Sequence, residues 1–384
     1  MLVVEIITNP EDWASYREEW NRFAGDKLTR SYDWLRAWWD GYHHNYQLFV
    51  LRASRDGETI AFFPLARQQK FVHGQTICFL GSGKACTDDV GILVSPQHFD
   101  EVAKTFADFL TKLSYSPGHH WDHLDFDGVR SDDVPMNLFL SRLEQNATLK
   151  IERRPSLNCW KVDISAGWEP YVASLSKRVR KMWGDTKRYL ESESTFQVAS
   201  GERETIEFVE TIAELHQRRW QERGIVGCFG TDNFESFLKQ LLSRLSEPNG
   251  FGNRPFVTLV KINNEPASGV IGFIYQGNLN VYLTGMSPEF FNYRPGWHAS
   301  FCTIREAANL GCKMVDFMRG DEDYKPRLGA ESHPQERWII ASPRIISKLR
   351  NKAYYTAIGI RDLTKQIMPR SATQVETPAK QTRS

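Results

Sequence analysis

The sequence predicts an α/β (α+β) fold of two tandem units, each with a mixed central sheet flanked by helices. Three observations lead there. The chain has 384 residues, more than a single core usually serves, so two domains are expected. Both halves run in a similar order: strand, helices, an antiparallel meander, a helix, then a strand. The stretch VYLTGMSPEFFNYRPGWHASFCTIREAANLGCKMVDFMRGDEDYK, from Val281 to Lys325, reads as strand, loop, helix, strand and a charged loop. That is a βαβ unit.

In the first half a strand is expected over 2–7, then helices over 11–24 and 32–43. Strands over 47–54 and 59–68 flank Asp56-Gly57, a strong hairpin signal. Further strands are expected over 76–80 and 89–94, a helix over 96–113, a strand over 123–126, a helix over 135–146 and a strand over 148–153. The second half starts with a strand over 160–164 and helices over 168–174 and 177–193. A strand over 195–198 precedes helices over 203–223 and 232–245. The loop over 246–254 is rich in Pro, Asn and Gly. Strands over 255–262, 266–275 and 279–283 follow, with Asn263-Asn264 and Gly277-Asn278 as hairpin turns. The corresponding division is 1–155 and 156–342. A basic helix over 343–368 and a polar, disordered tail over 369–384 complete the chain.

Composition excludes several classes. Lys and Arg number 48 against 47 Asp and Glu, a net charge of +1, which predicts no general attraction to DNA or anionic lipid. No apolar run approaches the roughly 20 residues that span a bilayer, so no membrane insertion is expected. The N-terminal MLVVEIITNPEDW meets acidic residues early and lacks a basic n-region, so a signal peptide is not expected there. Six cysteines without paired spacing read as reduced thiols and a cytoplasmic location.

Two features of the βαβ unit carry chemistry. Tyr293-Arg294-Pro295-Gly296 precedes a helix, and a bare Gly-containing turn there aims backbone N–H groups and the helix dipole at an anion. An ordinary Pro-Gly helix start is the alternative. The loop Arg319-Gly320-Asp321-Glu322-Asp323-Tyr324-Lys325 lies just past a strand C-terminus, where α/β sheets place ligands. A carboxylate there would take a proton from an amine, and Tyr324 would protonate a leaving thiolate; a solvated acidic turn stapled by Arg319 and Lys325 is the alternative. On the helix over 203–223, His216, Arg219 and Trp220 either line a substrate cleft or pack in the core. The run Lys177-Arg178-Val179-Arg180-Lys181 with Lys187-Arg188 is either a solvated face or a surface for phosphates and tRNA. His119 to His123 lack ligand spacing, so no metal is expected. Gly81-Ser82-Gly83-Lys84 lacks the P-loop spacing.

These stretches, with Ser31–Leu35, Trp38-Trp39, Ile60–Leu65 and Ser174–Lys177, together resemble the GNAT-superfamily acetyltransferases of the CelD-like group, associated with cellulose and exopolysaccharide biosynthesis. They also resemble the related Fem-type aminoacyl transferases. The resemblance implies two tandem GNAT-like domains with the acyl-donor site in the second. It implies acetyl-CoA or another acyl-CoA as co-substrate, with Tyr282, Thr284, Arg294, Gly296 and Lys325 around it. Asp316, Asp321 and Tyr324 would be catalytic. His216, Arg219, Trp220 and Arg319 would meet the acceptor, a small-molecule or carbohydrate amine. The alternatives are an aminoacyl-tRNA donor, or a non-catalytic scaffold with an envelope-assembly partner protein docked on the basic helix. Where the usual GNAT loop has two spaced glycines, this chain has Arg294-Pro295-Gly296-Trp297-His298.

Overall fold

The computed structural model describes residues 1–116, 118–222, 224, 226–247, 252–350 and 352. Its strands form sheets of four, six and seven strands with helices packed on them, the mixed architecture expected. Most of the basic helix over 343–368, and the tail, lie outside the described residues.

Two strands expected as single runs change sheets midway. Gln47–Leu48 and Leu65–Lys70 join the six-stranded sheet, while Val50–Arg55 and Glu58–Phe63 join the four-stranded one. Pro64 marks the second break, because a residue without an N–H cannot continue a ladder. The Asp56-Gly57 turn forms as expected, with φ of 52° and 86°, and so does Asn263-Asn264, with φ of 52° and 65°. The next hairpin turns at Gln276-Gly277, φ 49° and 75°, one residue earlier than the sequence suggested.

The strand Gln335–Ala341 was not expected. It pairs with His123–Arg130 on one side and Lys150–Pro155 on the other. A segment that the division at residue 156 assigns to the second half therefore completes the sheet of the first.

The halves also share a core. Ser31 caps the helix Tyr32–Tyr42 by accepting the Trp34 N–H at 3.2 Å. This helix packs on Asp232–Ser246. A Cβ on Gly41 would lie 2.7 Å from the Asn233 carbonyl oxygen and 2.9 Å from the Phe237 nitrogen, so glycine sets the helix spacing. Trp13, Trp20, Trp34 and Trp38 from the first half are fully buried in one cluster with Phe234, Phe237 and Phe273 from the second. Trp34 meets Phe237 edge-on at 5.3 Å. Such pairs add about 0.5–1.5 kcal/mol each beyond the area they bury. The junction is built like a protein interior.

The seven-stranded sheet runs in the order Ser194–Val198, Arg254–Ile262, Glu265–Tyr275, Asn278–Met286, Met314–Arg319, Cys159–Asp163, Glu331–His333. Its one parallel pair is Asn278–Met286 with Met314–Arg319, joined by the helix Pro295–Asn309.

Candidate functional site

That parallel pair holds for only one short stretch. Asn278, Leu279 and Asn280 oppose Met314, Val315 and Asp316, and beyond them the two strands have no ladder between them. The open edge of Asn278–Met286 thus leaves backbone donors without a strand partner. A bulge coincides with the divergence: Ile271 opposes Leu283 and Gly272 opposes Val281, so Tyr282 is the extra residue. Tyr282 faces the first half, donating its hydroxyl to the Ala85 carbonyl at 2.7 Å and packing 5.1 Å from Trp34.

On the other side of the strand lies a pocket of about 190 Å³, lined by Gly269, Val270, Thr284, Gly285, Met286, Phe291, Arg294, Gly296, Trp297, Ala299 and Ser300, with Arg219 and Tyr324. Gly269 and Gly285 are cross-strand partners. A Cβ on Gly269 would meet the Ile212 side chain at 2.5 Å, and one on Gly285 would meet the Ile212 carbonyl oxygen at 2.6 Å. The paired glycines let the helix Gly201–Gln221 press against the sheet and deliver Arg219 to the pocket.

The helix start has an unusual donor inventory. Arg294 is the N-cap in a left-handed conformation, φ 54° and ψ 45°. Pro295 has no N–H, and the Trp297 and His298 amides both donate to the Arg294 carbonyl. The Gly296 N–H is left in the first turn without a backbone partner among the described residues. Arg294 is exposed and forms no ion pair among the described residues. An anion at this helix start would meet the guanidinium groups of Arg294 and Arg219 with one amide, rather than a nest of amides.

Among the residues singled out from sequence, Thr284, Arg294, Gly296, Arg219 and Tyr324 come together at this pocket. Tyr324 is held protonated by burial and by the Glu322 carboxylate, both of which raise its pKa. The others lie elsewhere. Tyr282 is on the opposite face. Lys325 is 2% exposed and staples its own loop, donating to the Gly320 carbonyl at 3.0 Å and pairing with Glu322 at 2.9 Å. Asp316 pairs with Lys161 at 2.9 Å and accepts the Met318 N–H at 2.8 Å. Asp321 is exposed and accepts from Asn158 and Trp160 at 2.9 and 3.1 Å. Arg319 pairs with Asp127 at 2.8 Å across the two halves. His216 accepts the Trp220 indole N–H at 2.8 Å, and burial together with the Arg219 charge lowers its pKa to about 4. Among the described residues no carboxylate or imidazole lines the pocket. Sequence reasoning missed Gly269, Met286 and Trp297. The Gly269–Gly285 pairing was the available signal, but it needs the strand register.

A second cavity, of about 80 Å³, lies where the halves meet, with Lys27, Asp88, Asp89, Lys161, Asn280 and Asp316 among its walls. One Asp88 oxygen accepts the Arg319 backbone N–H at 2.6 Å; the other has no hydrogen-bond partner among the described residues. Burial, then the Asp316 charge, raise the Asp88 pKa from 3.8 to about 8. The folded protein therefore keeps a proton here that the unfolded chain releases near pH 4, and stability attributable to Asp88 falls as pH rises from about 4 to about 8. Asp88→Asn removes that loss while its amide oxygen still accepts the Arg319 N–H. The Tm advantage of the variant over wild type is expected to grow across that window and level off above it. Thermal melts from about pH 5 to about pH 9 measure this, and a difference independent of pH would contradict it.

The splayed parallel pair, the crossover helix and the pocket at its N-terminus lie within the part of the chain that known proteins resemble. Residues 176–326 match the family described as acetyltransferase (GNAT) domain. The fold of these residues is GNAT-like. Among solved structures, FemX superposes with a TM-score of 0.61 at 14% identity, covering 88% of this chain and 96% of that one. A conserved protein of unknown function from Bacteroides thetaiotaomicron VPI-5482 gives 0.55 at 10% identity, covering 88% and 100%. The C-terminal domain of a putative lysylphosphatidylglycerol synthetase from Agrobacterium fabrum gives 0.50 at 8% identity, covering 89% and 95%. At these identities the likeness is one of fold. No curated protein matches the chain. None of the described helices is long and apolar enough to cross a membrane.

Proposed function

We propose that this protein is an N-acyltransferase. It takes an acyl group from a CoA thioester held in the pocket over Thr284, Gly285 and Met286. It delivers that group to an amine of a sugar, sugar nucleotide or small metabolite, in the cytoplasm, with polysaccharide synthesis as the expected setting. The observation that carries this reading is the divergence of Asn278–Met286 from Met314–Arg319, with the pocket lying between the end of Asn278–Met286 and the Pro295–Asn309 helix start. Arg294, Arg219 and the Gly296 N–H would hold the donor's diphosphate. Open-edge backbone N–H groups would polarise the acyl carbonyl. As the amine nitrogen forms its bond to the acyl carbon and the carbon–sulfur bond breaks, Tyr324 would give its proton to the sulfur. It would recover one from the acylated nitrogen through water. With no carboxylate in the pocket, the amine must arrive neutral.

The test is thiol release from acetyl-CoA in the presence of amino sugars and small amines. Amine-dependent release is expected. Absence of both release and binding would remove this donor.

One observation favours a second donor, an aminoacyl-tRNA. Lys177, Arg178, Lys181 and Lys187 are exposed on the helix Lys177–Glu193 without ion pairs among the described residues. That helix packs on Pro295–Asn309 through Trp183 and Phe301, 5.1 Å apart. The basic face thus flanks the helix that starts at the pocket. tRNA binding that weakens steeply with salt would support this reading.

A further inference from the structure

Away from the pocket, one margin of the six-stranded sheet carries an exposed face that is both apolar and cationic. The hairpin between Leu65–Lys70 and Gly74–Phe79 leaves Phe71 wholly in solvent, with Val72 beside it. The helical turn over 345–350 is bolted to the base of this hairpin by Asp122. That carboxylate accepts the Gln75 N–H at 2.9 Å and the Ser347 hydroxyl at 2.6 Å, and pairs with Arg350 at 2.7 Å. A Cβ on Gly74 would fall 2.2 Å from the Arg350 Nη1, so the two elements touch. Phe71 is three residues from Gly74, about 10 Å of chain at most. On the helical turn Ile345, Ile346 and Leu349 are 76%, 53% and 61% exposed. Ile345 and Leu349 share one side of it.

The charges around these side chains do not cancel. Lys70 and Arg337 share the Asp125 carboxylate, at 2.9 and 2.8 Å. Arg344 and Arg350 share that of Asp122, at 3.8 and 2.7 Å. Lys348 is exposed and has no ion pair among the described residues. The net charge of +1 for the whole chain thus conceals a local positive excess. Exposed apolar tips set among cations match the headgroup boundary of an anionic bilayer, where the tips enter the acyl margin and the cations meet lipid phosphates. A soluble polyanion would use the charges and leave Phe71 and Leu349 in water.

We propose that this face docks the protein peripherally on an anionic membrane surface. The test is co-sedimentation of the full chain with vesicles of mixed phosphatidylglycerol and phosphatidylcholine, and with vesicles of phosphatidylcholine alone. Binding to the anionic vesicles is expected, weaker by about tenfold or more on neutral vesicles and on raising salt from about 50 mM to about 500 mM. Phe71→Ser and Lys348→Glu should each weaken it several-fold, with Tm unchanged because both side chains are exposed. No binding to the anionic vesicles, or equal binding to both kinds, would overturn the proposal. So would undiminished binding by Phe71→Ser, which would assign the charges to a soluble polyanion.

Discussion

Replacing Gly285 with alanine is expected to cost about 1–3 kcal/mol of stability and to abolish donor binding. The new methyl group would sit 2.6 Å from the Ile212 carbonyl oxygen and 3.1 Å from the Leu215 Cβ. The first obstacle is helix backbone, which no rotamer change can move aside. The helix Gly201–Gln221 must lift off the sheet, and Arg219 on its last turn leaves the pocket with it. Gly296→Ala is the contrasting case at the same site. Its methyl group would meet Met286 Sδ at 3.4 Å, an ordinary contact, so folding should tolerate it. Thermal melts and acetyl-CoA titrations of both variants separate these effects. Wild-type stability and binding in Gly285→Ala would show that the helix does not position the pocket.

Tyr324→Phe is expected to lower kcat by about a hundredfold or more while leaving KM nearly unchanged. The phenol lines the pocket, and burial with the neighbouring Glu322 keeps it protonated through the physiological range. Among the described residues it is the one ionisable hydroxyl that lines the pocket. Asp321→Asn should retain near wild-type turnover, because its carboxylate is spent on Asn158 and Trp160 at the surface. The pH profile follows from the same inventory. With no carboxylate or imidazole in the pocket, kcat/KM should climb about tenfold per pH unit up to the pKa of the acceptor amine. Thiol-release kinetics on the two variants measure all three. A large loss in Asp321→Asn with none in Tyr324→Phe would reverse the assignment.

Local pattern carried much of the fold. Turn residues such as Asp56-Gly57 and Asn263-Asn264, and the periodicity of helices such as Tyr32–Tyr42, are set by nearby chain and were legible. The sheet changes at residues 49 and 64 were not, because a strand that leaves one sheet for another keeps its β-pattern throughout. Gln335–Ala341 was missed for a related reason. In QERWIIA the charged and amide positions mask the alternation, and only its pairing with two strands far back in the sequence makes it a central strand.

The site divided along the same line. Residues fixed by the βαβ chain path, Thr284, Arg294 and Gly296, line one pocket. Tyr282 does not, because a bulge turned it to the other face. The acidic loop was read as one cluster, yet its members separate in space: Tyr324 enters the pocket, Asp321 faces solvent and Lys325 turns inward to its own carbonyls. Side-chain direction in a short turn depends on what packs against it, and here that is Asn158, Trp160 and the backbone of Met314–Arg319. The Asp88 carboxyl had no sequence signal, since its burial arises only where the two halves meet.

The proposed function places an acyl-CoA in the pocket at the Pro295–Asn309 helix start, held by arginine side chains. Titration calorimetry of acetyl-CoA into wild type and Arg294→Ala tests it most directly. Saturable binding by wild type is expected, weakened about tenfold or more in the variant through loss of one charge-assisted contact. Absence of binding to wild type, or equal affinity in Arg294→Ala, would contradict it.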